Sequence, residues 1–268
     1  MRLAVLGTHV EKSLSPAMHR AALAHHGIDG VYDARVVDAA GFRRAISDLR
    51  SGRLDGANVT MPYKQRAFNQ CDVASDVATR ARAVNTLSRR SELVAGDNTD
   101  VDGIATVWLE ADLPPDAPVT VLGSGGAAAA ALIALQGRVI RVVARNQERA
   151  QQLVAGVGGS AAVAGWDEPI PPSVVINATP LGMKGEALPD QVLQSALGLC
   201  DMAYGDEPTP AVTTAVGRGL PVAAGLDLLV AQAALSFAIW VGLRPDRSVM
   251  RAAAEAELLS RKAQEGRQ

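Results

Sequence analysis

Only four of the 26 basic residues in this 268-residue chain are lysines: Lys12, Lys64, Lys184 and Lys262. Arginine keeps its proton at every accessible pH, whereas a lysine can be tuned to release one and take it back, so each lysine is a candidate for proton transfer. Lys64 is singled out by its neighbours. It closes the segment Asn58-Val-Thr60-Met-Pro-Tyr-Lys64, where two polar side chains occupy alternate positions of a strand and the lysine follows one turn later. Val84-Asn85-Thr86 sets an amide inside a second apolar strand, and Asp97-Asn-Thr-Asp100 ends a third with two carboxylates. Ser13-Leu-Ser15-Pro16 puts two hydroxyls at a helix start, which suits an anion such as a carboxylate. Each cluster also has a plainer role: Ser15 as an N-cap, Lys64 as a surface lysine, Asp97 and Asp100 as turn and cap residues. Together they describe a concave site for a ligand bearing hydroxyls and a carboxylate, with a Lys–Asp pair suited to proton transfer.

A different chemistry is written in Gly123-Ser124-Gly125-Gly126-Ala127-Ala128. The run Pro118-Val-Thr-Val-Leu122 before it reads as a buried strand, and 127–135 after it as a helix. Strand, G-x-G-x-x-A and helix form the dinucleotide fingerprint: a tight turn, a close approach of backbone to pyrophosphate, and a small residue that lets helix and strand touch. The next strand, 139–144, ends about 20 residues past the glycines, where an NAD site carries an acid for the ribose diol. No acid stands there. Arg145, Asn146 and Arg149 do, and two arginines four apart at a helix start can close on a 2′-phosphate from two sides. Two solvated arginines are the alternative. The position favours the clamp, and with it NADP over NAD.

The elements that must position these residues alternate. Strands are expected at 3–6, 31–37, 57–61, 84–87 and 92–95. A helix capped by Ser15, with Pro16 at its first position, ends at Gly27. Another over 40–50 carries Phe42, Ala45, Ile46 and Leu49 as a buried stripe. After the glycine loop, strands follow at 139–144, 173–177, 199–202 and 221–223, and two helices close the chain at 226–241 and 248–264. The order predicts a two-lobed α/β enzyme with a cleft: a substrate-binding and catalytic domain over 1–101, completed by 236–268, and a Rossmann-like NADP-binding domain over 102–235.

Hydrophobic residues make up 48% of the chain and charged residues 20%, an ordinary globular balance. A net charge of −2 gives no reason to expect nucleic acid or an anionic membrane as partner. The apolar stretch 226–241 is interrupted by Asp227 and Gln232 and is short for a membrane span. The N-terminus reads as a strand rather than a signal peptide, so a cytoplasmic location is expected. Cys71 and Cys200 lack metal-ligand spacing, and no metal is expected.

The chain resembles the shikimate dehydrogenase family over nearly its whole length, in eight segments taken in order. They are 13–16, Gly56-Ala-Asn-Val-Thr-Met-Pro-Tyr-Lys64, Ala83-Val-Asn-Thr-Leu87, Gly96-Asp-Asn-Thr-Asp100, 123–127, Asn177-Ala-Thr-Pro-Leu-Gly-Met183, Asp201-Met-Ala-Tyr204, and Gly225 through Leu229-Val-Ala-Gln232. The resemblance implies NADP-linked reduction of 3-dehydroshikimate to shikimate, on the chorismate route to aromatic amino acids. It implies Lys64 and Asp100 as the catalytic pair, Ser13, Ser15 and Tyr204 on the substrate carboxylate, and Thr60, Asn85 and Gln232 on ring hydroxyls. Gly123 to Ala127, Arg145, Asn146, Arg149, Thr179, Met202 and Gly225 would line the cofactor. The expected partner is this small molecule alone, with the protein a monomer or homodimer. The chain departs from the family pattern at His9, Lys12, Ala144-Arg145-Asn146 and Asp227-Leu228. Those departures leave open a paralogue for quinate or an amino-shikimate, and a non-catalytic sensor of the same fold is a further alternative.

Overall fold

The computed structural model describes residues 1–265, and the chain divides into two compact units: Met1–Thr99 with the segment from Leu229 onward, and Asp100–Leu228. Residues 266–268, the end of the segment assigned above to the first domain, lie outside the described residues.

The first unit begins with β1 (Arg2–Gly7), α1 (Ser15–His25), β2 (Val31–Val36), α2 (Ala39–Arg50) and β3 (Gly56–Val59). It continues with α3 (Lys64–Gln70), β4 (Val73–Ala74), α4 (Asp76–Ala81), β5 (Thr86–Arg90) and β6 (Leu93–Asp97). These strands form one sheet in the order β2-β1-β3-β5-β6-β4, with β1, β2 and β3 parallel and β5 antiparallel to both its neighbours. The apolar run of β1 is buried on both faces, as a parallel strand covered by helices must be. Asp38 accepts a hydrogen bond from the Gly41 amide and starts α2, whose Phe42, Ala45, Ile46 and Leu49 enter a core with Leu6, Val59 and Leu87 as their spacing predicts. Gly27, at φ +64°, stops α1 in the left-handed conformation glycine tolerates.

Four expectations shift. Ser15 does not cap α1: it is that helix's first residue, and its amide donates to Ser13 Oγ (3.2 Å) instead. Strand β3 stops two residues before Met61, and Asn85 lies just outside β5, its amide on the Asp97 carbonyl (3.0 Å), its carbonyl accepting from the Val59 amide (2.7 Å) and its side chain accepting from the Thr99 amide (2.8 Å). The helices α3 and α4, seven and six residues long, fill a stretch where no element was expected, since so short a helix shows no readable periodicity.

The second unit runs through α5 (Thr99–Glu110), β7 (Val119–Leu122), α6 (Gly126–Ala134), β8 (Ile140–Val143), α7 (Gln147–Gly156) and β9 (Ala162–Ala164). Then come β10 (Ser173–Asn177), α8 (Asp190–Gln194), β11 (Ala196–Asp201), α9 (Pro210–Gly217) and β12 (Val222–Ala223). Its sheet, in the order β12-β11-β10-β7-β8-β9, is parallel throughout. The chain winds outward from β7 through β8 and β9, then returns to β10 and winds the other way, so the topological switch lies between β7 and β10. Ala128 to Ala131 are buried along α6, where small side chains bring helix and sheet together. The strand β9 and the helices α8 and α9 were not read from the sequence. Helices α10 (Gly225–Val241) and α11 (Arg247–Glu265) close the chain; from Leu229 they belong to the first unit, where α11 packs along α1.

Candidate active site

In the first sheet β1, β3 and β6 end at one edge, and β5, antiparallel between β3 and β6, starts there. Thr60, Asn85 and Asp97 therefore stand at that edge, with Lys64 four residues beyond Thr60 and Ser13 and Ser15 on the connection after β1. Asn58, Thr86 and Asp97 lie in one cross-strand row beneath them. Lys64 is half-buried and opens α3, and its backbone is fixed from two sides. Its carbonyl accepts from the Val84 amide (2.9 Å), while the preceding Tyr63 stacks on Phe42 (4.9 Å) and donates its hydroxyl to the Val37 carbonyl (3.0 Å). Thr60 is half-buried, with its amide on the Leu6 carbonyl (3.0 Å).

Behind these residues lies a buried polar network. Tyr32 donates to Asn58 Oδ1 (2.7 Å), and Asn58 Nδ2 donates to Ser236 Oγ (2.9 Å) and to Thr86 Oγ1 and the Asn85 carbonyl (both 3.2 Å). Asn85 exchanges hydrogen bonds with Thr99, and Thr99 Oγ1 reaches Gln232 Oε1 at 3.5 Å, so Asn85 and Gln232 are brought together through Thr99. Satisfied buried networks of this kind hold side chains in one arrangement. Asn58, absent from the expected site residues, is the hub of this one; its signal was a polar residue in an apolar strand, but its partner Ser236 is 178 residues away. Beneath the network His19 is wholly buried, stacked on Tyr32 (4.4 Å) and tilted against Trp240 (5.2 Å). Removal from water pushes its pKa down to about 3, and the nearby Asn58 offsets this only in part without an ordinary hydrogen bond to either ring nitrogen.

Asp100 and Tyr204 belong to the second unit, Asp100 buried in the first turn of α5 and Tyr204 half-buried after β11. Gly123 leaves β7 at φ +110°, and a Cβ there would lie 2.9 Å from the Ala178 carbonyl, so a side chain at this turn would meet the loop after β10. Gly125 has open space where a Cβ would stand, and as N-cap of α6 it offers no side-chain acceptor to the first-turn amides. An uncapped helix start behind a side-chain-free position fits a pyrophosphate.

The clamp is arranged differently from the expectation. Arg145 lies outside α7, whose N-cap is Asn146, with Asn146 Oδ1 accepting from the Arg149 amide (2.9 Å). The two arginines thus do not share one helix face; both are exposed at the end of β8, next to the glycine loop's own strand.

The loops after β10 and β11 are tied by one carboxylate. Asp201 accepts from Asn177 Nδ2 (2.8 Å), the Ala203 amide (3.0 Å) and the Thr209 hydroxyl (2.5 Å), while Asn177 Oδ1 accepts from Thr179. Met202 is seated by its amide on the Asn177 carbonyl (3.0 Å). Burial raises the Asp201 pKa and these hydrogen bonds oppose the rise. Asp201→Ala is expected to cost about 2–4 kcal/mol, because it orphans buried donors; an unchanged urea midpoint would refute this. Gly225 is required nearby, since a Cβ would collide with the Ala203 carbonyl. The Asp227 departure has a structural reason: its carboxylate reaches back to the Ala224 amide (2.8 Å) and caps α10, with Leu228 buried beside it. His9 and Lys12 are exposed.

Burial pushes the Cys200 thiol up to about 12 and raises that of Cys71, which suits neither to nucleophilic work. Among the described residues no three His, Cys, Asp or Glu gather where they could hold a metal, and no helix is long and apolar enough to cross a membrane.

A parallel sheet with a glycine turn at its switch point, in a chain whose other unit presents hydroxyls, an amide and one lysine at a sheet edge, defines an α/β oxidoreductase of the dinucleotide-dependent class. A family model described as the shikimate dehydrogenase substrate binding domain matches residues 5–87, and one described as the shikimate 5′-dehydrogenase C-terminal domain matches 225–255. A shikimate dehydrogenase (NADP(+)) of Gluconobacter oxydans is 38% identical over 251 residues, covering 90% of each chain. The crystal structure of shikimate 5-dehydrogenase from Thermus thermophilus, in complex with NADP(H) and shikimate, superposes with a TM-score of 0.88 at 33% identity, covering 96% of this chain and 99% of that one. A ligand-free 5-ketofructose reductase of Gluconobacter sp. strain CHM43 gives 0.85 at 26% identity, covering 96% and 98%. The chain belongs to the shikimate dehydrogenase family.

Proposed function

We propose that this chain catalyses the reversible, NADP-dependent reduction of 3-dehydroshikimate to shikimate on the route to chorismate. What supports this is that Thr60, Lys64 and Asn85 lie at or next to strand ends on one side of the first sheet, with Ser13 and Ser15 on the connection after β1, in a chain of this family. The first unit, with the C-terminal helices, binds substrate, and the second binds the dinucleotide. NADP, when bound, supplies or accepts the hydride. Ser13, Ser15 and Tyr204 hold the substrate carboxylate, and Thr60, Asn85 and Gln232 hold ring hydroxyls. Lys64 Nζ gives a proton to the carbonyl oxygen as it becomes an alcohol and takes it back in the reverse direction. Asp100 orients Lys64 and a neighbouring hydroxyl. Gly123, Ser124, Gly125, Gly126 and Ala127 bring backbone to the pyrophosphate, with Thr179, Met202 and Gly225 lining the rest. Arg145 and Arg149 meet the 2′-phosphate beside Asn146. The enzyme works in the cytoplasm, as monomer or homodimer.

Initial rates with shikimate and quinate, each against NADP and NAD, test this. Turnover of shikimate with NADP well above the other combinations is expected. Fast quinate turnover would favour a paralogue, an alternative given weight by the 5-ketofructose reductase of the same fold. NADP binding without any turnover would favour a sensor. Replacing both Arg145 and Arg149 by Ala is expected to raise KM for NADP by about 30–100-fold, the scale of losing two charge-assisted contacts, with NAD kinetics little changed. Equal effects on both nucleotides would remove the clamp.

A further inference from the structure

The segment that carries Ser13 and Ser15 is held from the far end of the chain. Arg261, on α11, donates from Nη1 to the Lys12 carbonyl (2.9 Å) and from Nη2 to the Ser13 carbonyl (3.5 Å). Its Nε donates to Glu257 Oε1 (3.0 Å), one turn back on the same helix, and the guanidinium stem is largely buried. A planar guanidinium whose two ends meet consecutive carbonyls, oriented by a carboxylate on its third edge, fixes the direction of a peptide as well as its position. The segment is otherwise seated by the buried side chains of Val10 and Leu14. The N-cap of α1, Leu14, makes no side-chain capping bond, and the turn is closed by the Ser13 amide on the Val10 carbonyl (3.0 Å) and the Ser15 amide on Ser13 Oγ (3.2 Å).

We infer that Arg261 is a positioning residue for the serine segment and thereby sets affinity for the substrate carboxylate. This rests on the proposed role of Ser13 and Ser15. Arg261 meets the segment through backbone carbonyls rather than through the serine hydroxyls. It acts by removing alternative orientations of the segment, which lowers the ordering cost of binding. The effect should therefore appear in KM for the carboxylated substrate and leave the hydride and proton steps alone.

The test compares Arg261→Met, Arg261→Lys and, as a control on the same helix, Arg251→Ala, which removes the exposed pair with Glu255 (3.8 Å). Arg261→Met is expected to raise KM for shikimate about tenfold, with kcat and KM for NADP within about twofold. Arg261→Lys, able to meet one carbonyl but not both, should recover part of the loss. Amide exchange at Ser13 and Ser15 should quicken in Arg261→Met and not in Arg251→Ala. With the carboxamide analogue of shikimate as substrate, the Arg261→Met effect should largely vanish. If KM for shikimate is unmoved in Arg261→Met, or rises together with KM for NADP and equally in Arg251→Ala, the inference is overturned while the proposed function stands. A wild-type protein that does not turn over shikimate defeats the proposed function, and the carboxylate role of Arg261 falls with it.

Discussion

Lys64→Ala is expected to slow shikimate turnover by about 10³-fold while KM for shikimate stays within a few-fold, the pattern left when an interaction made only during proton transfer is removed. The fold should tolerate the change. The Lys64 carbonyl, which receives the Val84 amide, is kept by any side chain, and Tyr63 beside it is anchored separately on Val37 and Phe42. Lys64→Arg separates charge from proton exchange. A guanidinium keeps the positive charge at the site but does not give up its proton, so that variant should be almost as slow as Lys64→Ala. If Lys64→Arg restored most of the rate, Lys64 would be an electrostatic group and the proton would have to travel elsewhere. Unchanged kcat in both variants would remove it from the mechanism.

The second large effect concerns stability in acid. His19 is neutral and enclosed in the fold, with its pKa lowered to about 3, against 6.5 when free. Between those values the unfolded chain binds a proton there that the folded chain does not, so stability falls as pH drops through this window and the loss is complete below about 3. A gap of this size corresponds to a loss of about 5 kcal/mol once it is complete. The rings around it, Tyr32, Phe237 and Trp240, present no carboxylate that could compensate an imidazolium. His19→Phe keeps a flat ring against Tyr32 and removes the titration. Urea midpoints of wild type and variant at pH 7 and pH 4 check the expectation: the wild type should lose markedly more between the two conditions. Parallel losses would mean that carboxylates elsewhere dominate acid unfolding.

The two predictions differ in how far they were legible before the structure. Lys64 could be singled out from its residue type and its place at the end of a polar-studded strand, because strand alternation and Pro62 confine what can follow β3. The same holds for the glycine loop: a buried strand, three small residues at fixed spacing and an alanine-rich helix are all local, and the structure sets them at the centre of a parallel sheet. Arg145 and Arg149 were legible as a pair, but their geometry was not. Whether a helix begins one residue earlier or later depends on which side chain wins the cap, and Asn146 wins it here. Ser15 loses its expected capping role for a related reason: the helix starts on Ser15 itself, Leu14 stands at the N-cap without a side-chain bond, and Ser13 Oγ receives the Ser15 amide.

By itself the sequence determined the α/β class, most strand and helix positions, the dinucleotide turn and the residues with chemistry to offer. Those follow from periodicity, turn chemistry and side-chain type, which act over a few residues. Only the tertiary structure decided what stands behind them. It joined Asn58 to Ser236 across 178 residues, stacked His19 on Tyr32 and against Trp240, and brought Arg261 to the carbonyls of Lys12 and Ser13 at the other end of the chain. Contacts like these leave no local pattern. A buried histidine, an asparagine in a strand and an arginine on an exposed-looking helix have many acceptable surroundings, and folding selects one by burying apolar surface first and then satisfying whatever polar atoms that burial has enclosed.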